Sequence, residues 1–262
     1  MFEISKAKKA AFIGDVHGHY KTMLALLKKI PEEYIIVFLG DLIDRGKRSK
    51  DVIQFIMDNK YRCIMGNHDQ MMIIERNTSA WRKRTSLWWQ NGGDTTIRSY
   101  GGKWKIQNEN ALREVFVKHR AWIEDLPLVI KFPNIKVNGR TLYASHSPLD
   151  MAMDITINTD TLENALINGS KEEAIFSYTK PMGVLAQAIM WRHFKSPLDI
   201  PDNGFYNVTG HNSVIDPYIS DHLACVDTGA GYGIGGKLTA ILLPEKKIIS
   251  QKVIEDTWEF KK

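Results

Sequence analysis

The first third of the chain alternates between two hydrophobic periodicities, and that alternation constrains the fold more than any other feature. AAFI (10–13) is strand-like, and HYKTMLALLKKI (19–30) follows with helical spacing at Met23, Leu24, Leu27 and Ile30. YIIVFL (34–39) is apolar enough for a fully buried strand. SKDVIQFIMDN (49–59) reads as a helix with Ser49 as its N-cap, and YRCIM (61–65) is strand-like again. A β-α-β-α-β order predicts a largely parallel sheet with helices packed outside it.

The pattern then changes. From Gln70 to Leu126 it is mostly helical, with Leu112, Val115, Phe116, His119, Trp122 and Ile123 on one stripe. Strands return at LVIKF (128–132) and TLYAS (141–145), separated by the turn-rich PNIKVNG. A helix over 183–194 follows, then a Pro/Asp/Asn loop and strands FYNVT (205–209), LACVD (223–227) and LTAILL (238–243). There is no internal repeat, low-complexity tract or obvious linker. The expectation is one domain over 1–262, long enough for a substantial core, with a helical insertion over 78–126 placed to act as a substrate-contacting cap.

Composition narrows the class. With 44% hydrophobic and 25% charged residues, the chain is an ordinary globular protein. No apolar run approaches the roughly 18 residues that cross a bilayer, so no membrane partner is expected. The amino terminus lacks a signal-peptide apolar region followed by a small-residue cleavage site. Cys63 and Cys225 lie inside apolar runs and read as buried thiols in a reducing compartment, which makes the cytoplasm the expected location. A net charge of +5 gathers partly at Lys6–Lys9 and at Arg82–Arg84, beside Trp81, Trp88 and Trp89. The favoured reading is a solvated basic surface; nucleic acid or an anionic substrate is the alternative.

Chemistry-bearing residues fall at the ends of the strands. GDVHG (14–18), GDLIDRG (40–46), GNHD (66–69), SHS (145–147) and TGH (209–211) each close a strand-like run with Asp, Asn or His. Ligands usually sit at the carboxyl ends of strands in open α/β sheets. Asp15 and His17 are two apart, so an extended backbone turns both to one face. Any one cluster is weak evidence, and five together are strong. A mixed Asp/Asn/His set suits two divalent ions of intermediate softness, with Mn2+ expected and Fe or Zn also suited, better than Ca2+. Such a pair, about 3.5–4 Å apart, generates a hydroxide nucleophile and clamps an in-line displacement at phosphorus. Two divalent ions with the Asp15 and Asp41 carboxylates and a bridging hydroxide leave a charge of about +1, which attracts a phosphate dianion.

GDVHG…GDLIDRG…GNHD…H…GH resembles the calcineurin-like metallophosphoesterases, and within them the phosphoprotein phosphatase family in its bacterial and phage branch. The likeness runs from about residue 11 to 243 and takes in NGGDTTIRSYG (91–101), MWRHF (190–194) and VDTGAGYGIGGKLTAIL (226–242). It implies an α/β double β-sheet sandwich flanked by helices. It also implies that Asp15, His17 and Asp41 bind the first metal, that Asp41 bridges, and that Asn67, His146 and His211 complete the second. His68 would be the general acid, oriented by Asp44; Arg45 and Arg192 would hold phosphate oxygens. The implied activity is hydrolysis of phosphate monoesters, in proteins at phosphoserine and phosphothreonine and also at phosphotyrosine, by attack of a metal-bound hydroxide.

Departures from the family pattern refine this. Relatives that cut nucleic acids or cyclic nucleotides often end in GHxH, whereas this chain has His211-Asn212-Ser213. Dinucleoside-polyphosphate hydrolases of the group usually lack the Asp of GDxxDRG, and Asp44 is present. His146-Ser147-Pro148 replaces the common HG or HAG, and Pro148 removes a backbone donor from that loop. Asp69 stands where eukaryotic members have Glu, a change expected to be tolerated. The competing readings are a nucleotide, dinucleoside-polyphosphate or nucleic-acid phosphohydrolase, and a non-catalytic binding module on the same fold.

Other residues read as structural. His119 lies on the apolar stripe, and His19, His193 and His222 fall outside the motifs. GYGIGG (231–236) formally matches a dinucleotide-binding pattern, but the strand-like LTAILL after it makes a hairpin loop the better reading. Trp88 and Trp89 are adjacent, so one should face outward, where it could stack on a base or phosphotyrosine.

Overall fold

The structure, a computed structural model, describes residues 1–76, 86–101, 109–149 and 181–254. The expected alternation is present in the first third. β1 (Phe2–Glu3) and β2 (Ala10–Ile13) precede α1 (Tyr20–Leu27), and β3 (Ile35–Phe38) precedes α2 (Ser49–Asp58). β4 (Arg62–Cys63) then leads into α3 (Asn67–Arg76). A π-type turn at Trp89–Gly93 runs into α4 (Asp94–Ser99), followed by α5 (Glu109–Glu124). β5 (Val129–Val137) and β6 (Arg140–Ser145) form a hairpin, and α6 spans Pro181–Trp191. The remaining strands are β7 (Tyr206–Thr209), β8 (Tyr218–Ile219), β9 (Leu223–Cys225), β10 (Asp227–Thr228), β11 (Lys237–Leu243) and β12 (Lys247–Lys252).

These strands form two mixed sheets rather than one parallel sheet. The first has the order β1-β5-β6-β7-β9-β8; the second runs β10-β11-β2-β3-β4, with β12 also paired to β11. The expected parallel unit is real: β2, β3 and β4 pair in parallel. The antiparallel β11 borders it, Ile13 opposite Ala240.

Alternation along β2 explains the layers. Ala10 and Phe12 join Val37 and Leu39 in a core shared with Ile130, Phe132, Leu142 and Val208 of the first sheet. Ala11 and Ile13 point the other way, into a core with Met23, Leu26, Val52 and Ile53 of α1 and α2. Phe12 meets Phe132 edge to face at 5.2 Å between the sheets. Removing the Phe12 ring would cost about 3–5 kcal/mol and loosen the layers whose strand ends converge on one spot.

Several local expectations need correction. Ser49 begins α2 but does not cap it; Arg48 occupies that position. The Ser49 hydroxyl instead accepts the Asp44 N–H at 3.2 Å. LVIKF is only the start of β5, which continues through PNIKV to Val137 with an irregularity between Phe132 and Lys136. The helix expected over 183–194 ends at Trp191, so Arg192 and His193 lie on the loop after it. GYGIGG is a hairpin loop, joining β10 to β11. No described helix is long and apolar enough to cross a membrane.

Candidate metal centre

Five strands from both sheets deliver their C-terminal loops to one place. Asp15 and His17 follow β2, Asp41 follows β3 and Asn67 follows β4; His146 and His211 follow β6 and β7. Glycines let the loops touch. A Cβ at Gly66 would collide with Asp41 Oδ1, and one at Gly210 with Asp15 Oδ1. Among the described residues, eight non-glycine positions have positive φ, and five of them are His17, Asp41, Asp44, Arg45 and His211. A backbone conformation unfavourable for L-residues is thus concentrated where the side chains converge.

The converging atoms are electron-pair donors aimed at one another. His146 Nδ1 donates to the Leu39 carbonyl at 2.6 Å, which leaves Nε2 as the lone-pair atom of the neutral ring. That Nε2 faces Asn67 Oδ1 at 2.9 Å and Asp41 Oδ1 at 3.3 Å. His211 Nδ1 stands 3.0 Å from the same Asn67 oxygen. His17 Nδ1 donates to the Ile43 carbonyl at 2.8 Å and turns Nε2 toward Asp41 Oδ2, 3.7 Å away. In buried surroundings such a cluster is stable only around positive charge.

The protonation equilibria say the same. Burial disfavours charge on His146, yet the Asp41 and Asp15 carboxylates outweigh it and push its pKa up to about 10. Asp41 is held well below the usual carboxylate range: burial favours its neutral form, but His146, His68 and His17 surround it. His211 is lowered to about 3, first by burial and then by His146, so its imidazole is neutral. Burial and the neighbouring Asp227 raise Asp15. The cluster therefore recruits a proton into a position that a divalent cation would fill, and its donor set fits a pair of such ions.

Two groups bring one donor atom each within 4.8 Å of one another: Asp41, His146 and His211, and His17, Asp41 and His68. Asp41 belongs to both, the position a bridging residue requires. Asp15 stands outside both groups, with its carboxylate accepting the His211 N–H at 3.1 and 3.2 Å.

A second constellation adjoins the first. His68 Nδ1 lies 2.7 Å from Asp44 Oδ2, and His68 Nε2 lies 3.1 Å from Arg45 Nη2. Nδ1–H therefore donates to Asp44, and Nε2 accepts from the guanidinium. Asp44 is fully buried, and burial is the main influence raising its pKa. Three donors offset that burial: the Trp88 indole at 3.0 and 3.1 Å, the Thr96 hydroxyl at 2.7 Å and the His68 ring. Arg45 is half-buried, and its backbone N–H meets the Gly92 carbonyl at 3.4 Å.

The expected site residues thus come together, with Arg192 joined through its backbone. Its carbonyl accepts from Ser147 Oγ at 2.6 Å and from Asn212 Nδ2 at 3.1 Å. Ser49 was not expected at the site; Trp88 and Thr96 fall within the expected 78–126 cap, but their hydrogen bonds to Asp44 were not expected. Thr96 lies in the NGGDTTIRSYG stretch, so its motif was visible although its contact was not. Trp88 is buried against Asp44, so it offers no stacking face, while Trp89 is half-buried. Trp81, Arg82, Lys83, Arg84 and Trp104 of the expected insertion lie outside the described residues.

This fold and this convergence of Asp, Asn and His at five strand ends define a metal-dependent phosphoesterase class. The chain belongs to the calcineurin-like phosphoesterase family, whose pattern it matches over residues 8–247. The family depends on a dinuclear metal centre and hydrolyses phosphoesters. Its curated relatives differ in substrate. Serine/threonine-protein phosphatase 1 of Salmonella typhimurium is 33% identical over 89 residues, which is 33% of this chain and 39% of that relative's length. The asymmetrical bis(5'-nucleosyl)-tetraphosphatase PrpE of Halalkalibacterium halodurans is 26% identical over 256 residues, covering 91% of each chain. In fold, a solved Saccharomyces cerevisiae protein serine/threonine phosphatase similar to human phosphatase PP5 superposes with a TM-score of 0.58. The match has 16% identity and covers 97% of this chain and 84% of that one.

Proposed function

We propose that the chain is a dinuclear-metal phosphatase of phosphate monoesters, acting on phosphoserine and phosphothreonine, and also phosphotyrosine, in proteins. In this reading Asp15, His17 and Asp41 hold one ion, and Asp41, Asn67, His146 and His211 hold the other, with Mn2+ as the expected metal. When bound, the two ions supply an acidified water and positive charge for the phosphoryl oxygens.

The observation that carries the reading is His68 fixed between Asp44 and Arg45. Asp44 holds the Nδ1 proton and so fixes the ring's orientation and tautomer. Arg45, while on Nε2, occupies the atom from which an acid would deliver its proton. A phosphate that draws the guanidinium fork to its own oxygens frees the Nε2 lone pair to take up a proton from water, and the imidazolium so formed, held by Asp44, passes that proton to the leaving-group oxygen. Arg192 is assigned to the same oxygens.

A second reading is hydrolysis of dinucleoside polyphosphates, favoured by the Halalkalibacterium relative that aligns over almost the whole chain. The buried, triply supported Asp44 favours the monoesterase. The test is a panel on the Mn2+-loaded protein: phosphoserine and phosphotyrosine peptides, nucleoside monophosphates, a diester and a dinucleoside tetraphosphate. Phosphopeptides are expected to rank first, and preference for the diester or dinucleoside compound would reject the monoesterase. Arg82, Lys83 and Arg84 changed together to Ala should re-rank peptides against nucleotides and leave a small aryl phosphate almost unaffected. An unchanged ranking would remove the insertion from substrate recognition.

A further inference from the structure

The two departures in the His146 and His211 motifs meet at one atom. Ser147 and Asn212 each follow a candidate ligand of the second ion, and both are buried. Ser147 Oγ donates to the Arg192 carbonyl at 2.6 Å, and Asn212 Nδ2 donates to the same oxygen at 3.1 Å. Asn212 Oδ1 also accepts the Phe194 N–H at 3.2 Å, so one amide spans residues 192–194. Ser147 N–H reaches the Ile189 carbonyl at 2.7 Å. Carbonyls at the end of α6, orphaned by the helix itself, are thereby satisfied from the loops that carry the two histidines. His193 lies between the clamped positions, its ring 4.3 Å from that of His211 and tilted by 31°.

The loops of the site thus contribute to capping the end of α6. We infer that Ser147 and Asn212 are positioning residues that fix the Arg192–His193 segment at the mouth of the metal centre, so that phosphate affinity depends on them. This rests on the assignment of Arg192 to phosphate. A small residue after His146, as in HG or HAG, has no hydroxyl to give, which makes Ser147 part of one device with Asn212. Pro148 costs that device nothing, because the donors come from Ser147 and Asn212.

The test measures inorganic phosphate binding by calorimetry on the Mn2+-loaded full chain, alongside metals per chain, melting temperature and steady-state kinetics on an aryl phosphate. Asn212→Ala and Ser147→Ala should each raise the phosphate Kd and the KM about five- to tenfold, the effect of losing one well-placed hydrogen bond. The kcat should stay within about twofold, with two ions per chain retained. Ser147→Thr, which keeps the hydroxyl, should restore most of the loss. Arg192→Ala should raise Kd by at least as much, and adding Asn212→Ala to it should cost less than a further twofold. Losses that multiply in the double variant would overturn the clamp, as would single variants with unchanged Kd or lost metal. Phosphate binding that follows the clamp pattern, without turnover of any panel substrate, would support the clamp and reject the phosphatase. Turnover with unaffected Kd in every variant would do the reverse.

Discussion

At the scale of single residues the decisive group is His68. Its two nitrogens have different partners, Asp44 at 2.7 Å and Arg45 at 3.1 Å, and its proposed role as the acid rests on that arrangement. His68→Asn should lower turnover of alkyl phosphates by about 10²–10⁴-fold, the usual contribution of a positioned acid. The loss should be much smaller for aryl phosphates, whose leaving group needs little protonation. Initial rates on a matched alkyl and aryl pair decide it; equal losses with both ions still bound would count against the assignment. His68, Asp44 and Arg45 were legible in GDLIDRG and GNHD because their spacing after a strand is a local property. Trp88 and Thr96 were not: a donor for Asp44 lying 44 or 52 positions away follows no sequence period.

At the scale of elements, α5 is docked by a buried polar chain. The Tyr100 hydroxyl donates to His119 Nδ1 at 2.7 Å, and His119 Nε2–H donates to Gln54 Oε1 at 2.9 Å, linking α5 to α2. Burial, with Lys118 and Lys50 adding to it, lowers the His119 pKa to about 4. The unfolded ring titrates near its ordinary value of about 6.5. Between these values the unfolded chain binds a proton that the folded chain refuses. Stability from this residue is therefore complete above about pH 6.5 and declines as pH falls toward about 4, by on the order of 3 kcal/mol. Urea midpoints at pH 7 and pH 5 should differ less in His119→Gln than in the unaltered protein. Equal differences would mean that His119 titrates normally. The sequence marked His119 as a member of an apolar stripe, which was correct for its burial and silent about Gln54.

For the whole molecule, the candidate metal centre draws on both sheets. Its side chains come from the ends of β2, β3 and β4 in one sheet and β6 and β7 in the other. Ions that bind only the folded arrangement stabilise it by mass action. Chelation should therefore lower the melting temperature as well as abolish activity, and Mn2+ should restore both. Asp41→Asn should reduce occupancy of both ions together, since Asp41 belongs to both donor groups. Elemental analysis that finds two ions per chain in an active Asp41→Asn protein would refute bridging. A chelated protein with an unchanged melting curve would refute the coupling of ions to fold.

The sequence by itself determined the strand-helix alternation, the five motif-bearing strand ends and the family to which the chain belongs. These rest on periodicity and on short spacings, which a linear chain carries directly. Tertiary structure decided what depends on distant segments meeting. The expected parallel unit became part of a mixed sheet because β11, more than 220 residues after β2, pairs against it antiparallel. Ser49 turned from the expected cap to Asp44 because a buried carboxylate's surroundings offered its hydroxyl a partner. Asn212 and Ser147 looked like two unrelated departures from a motif. Only the fold, by ending α6 between their loops, gave them one carbonyl to hold.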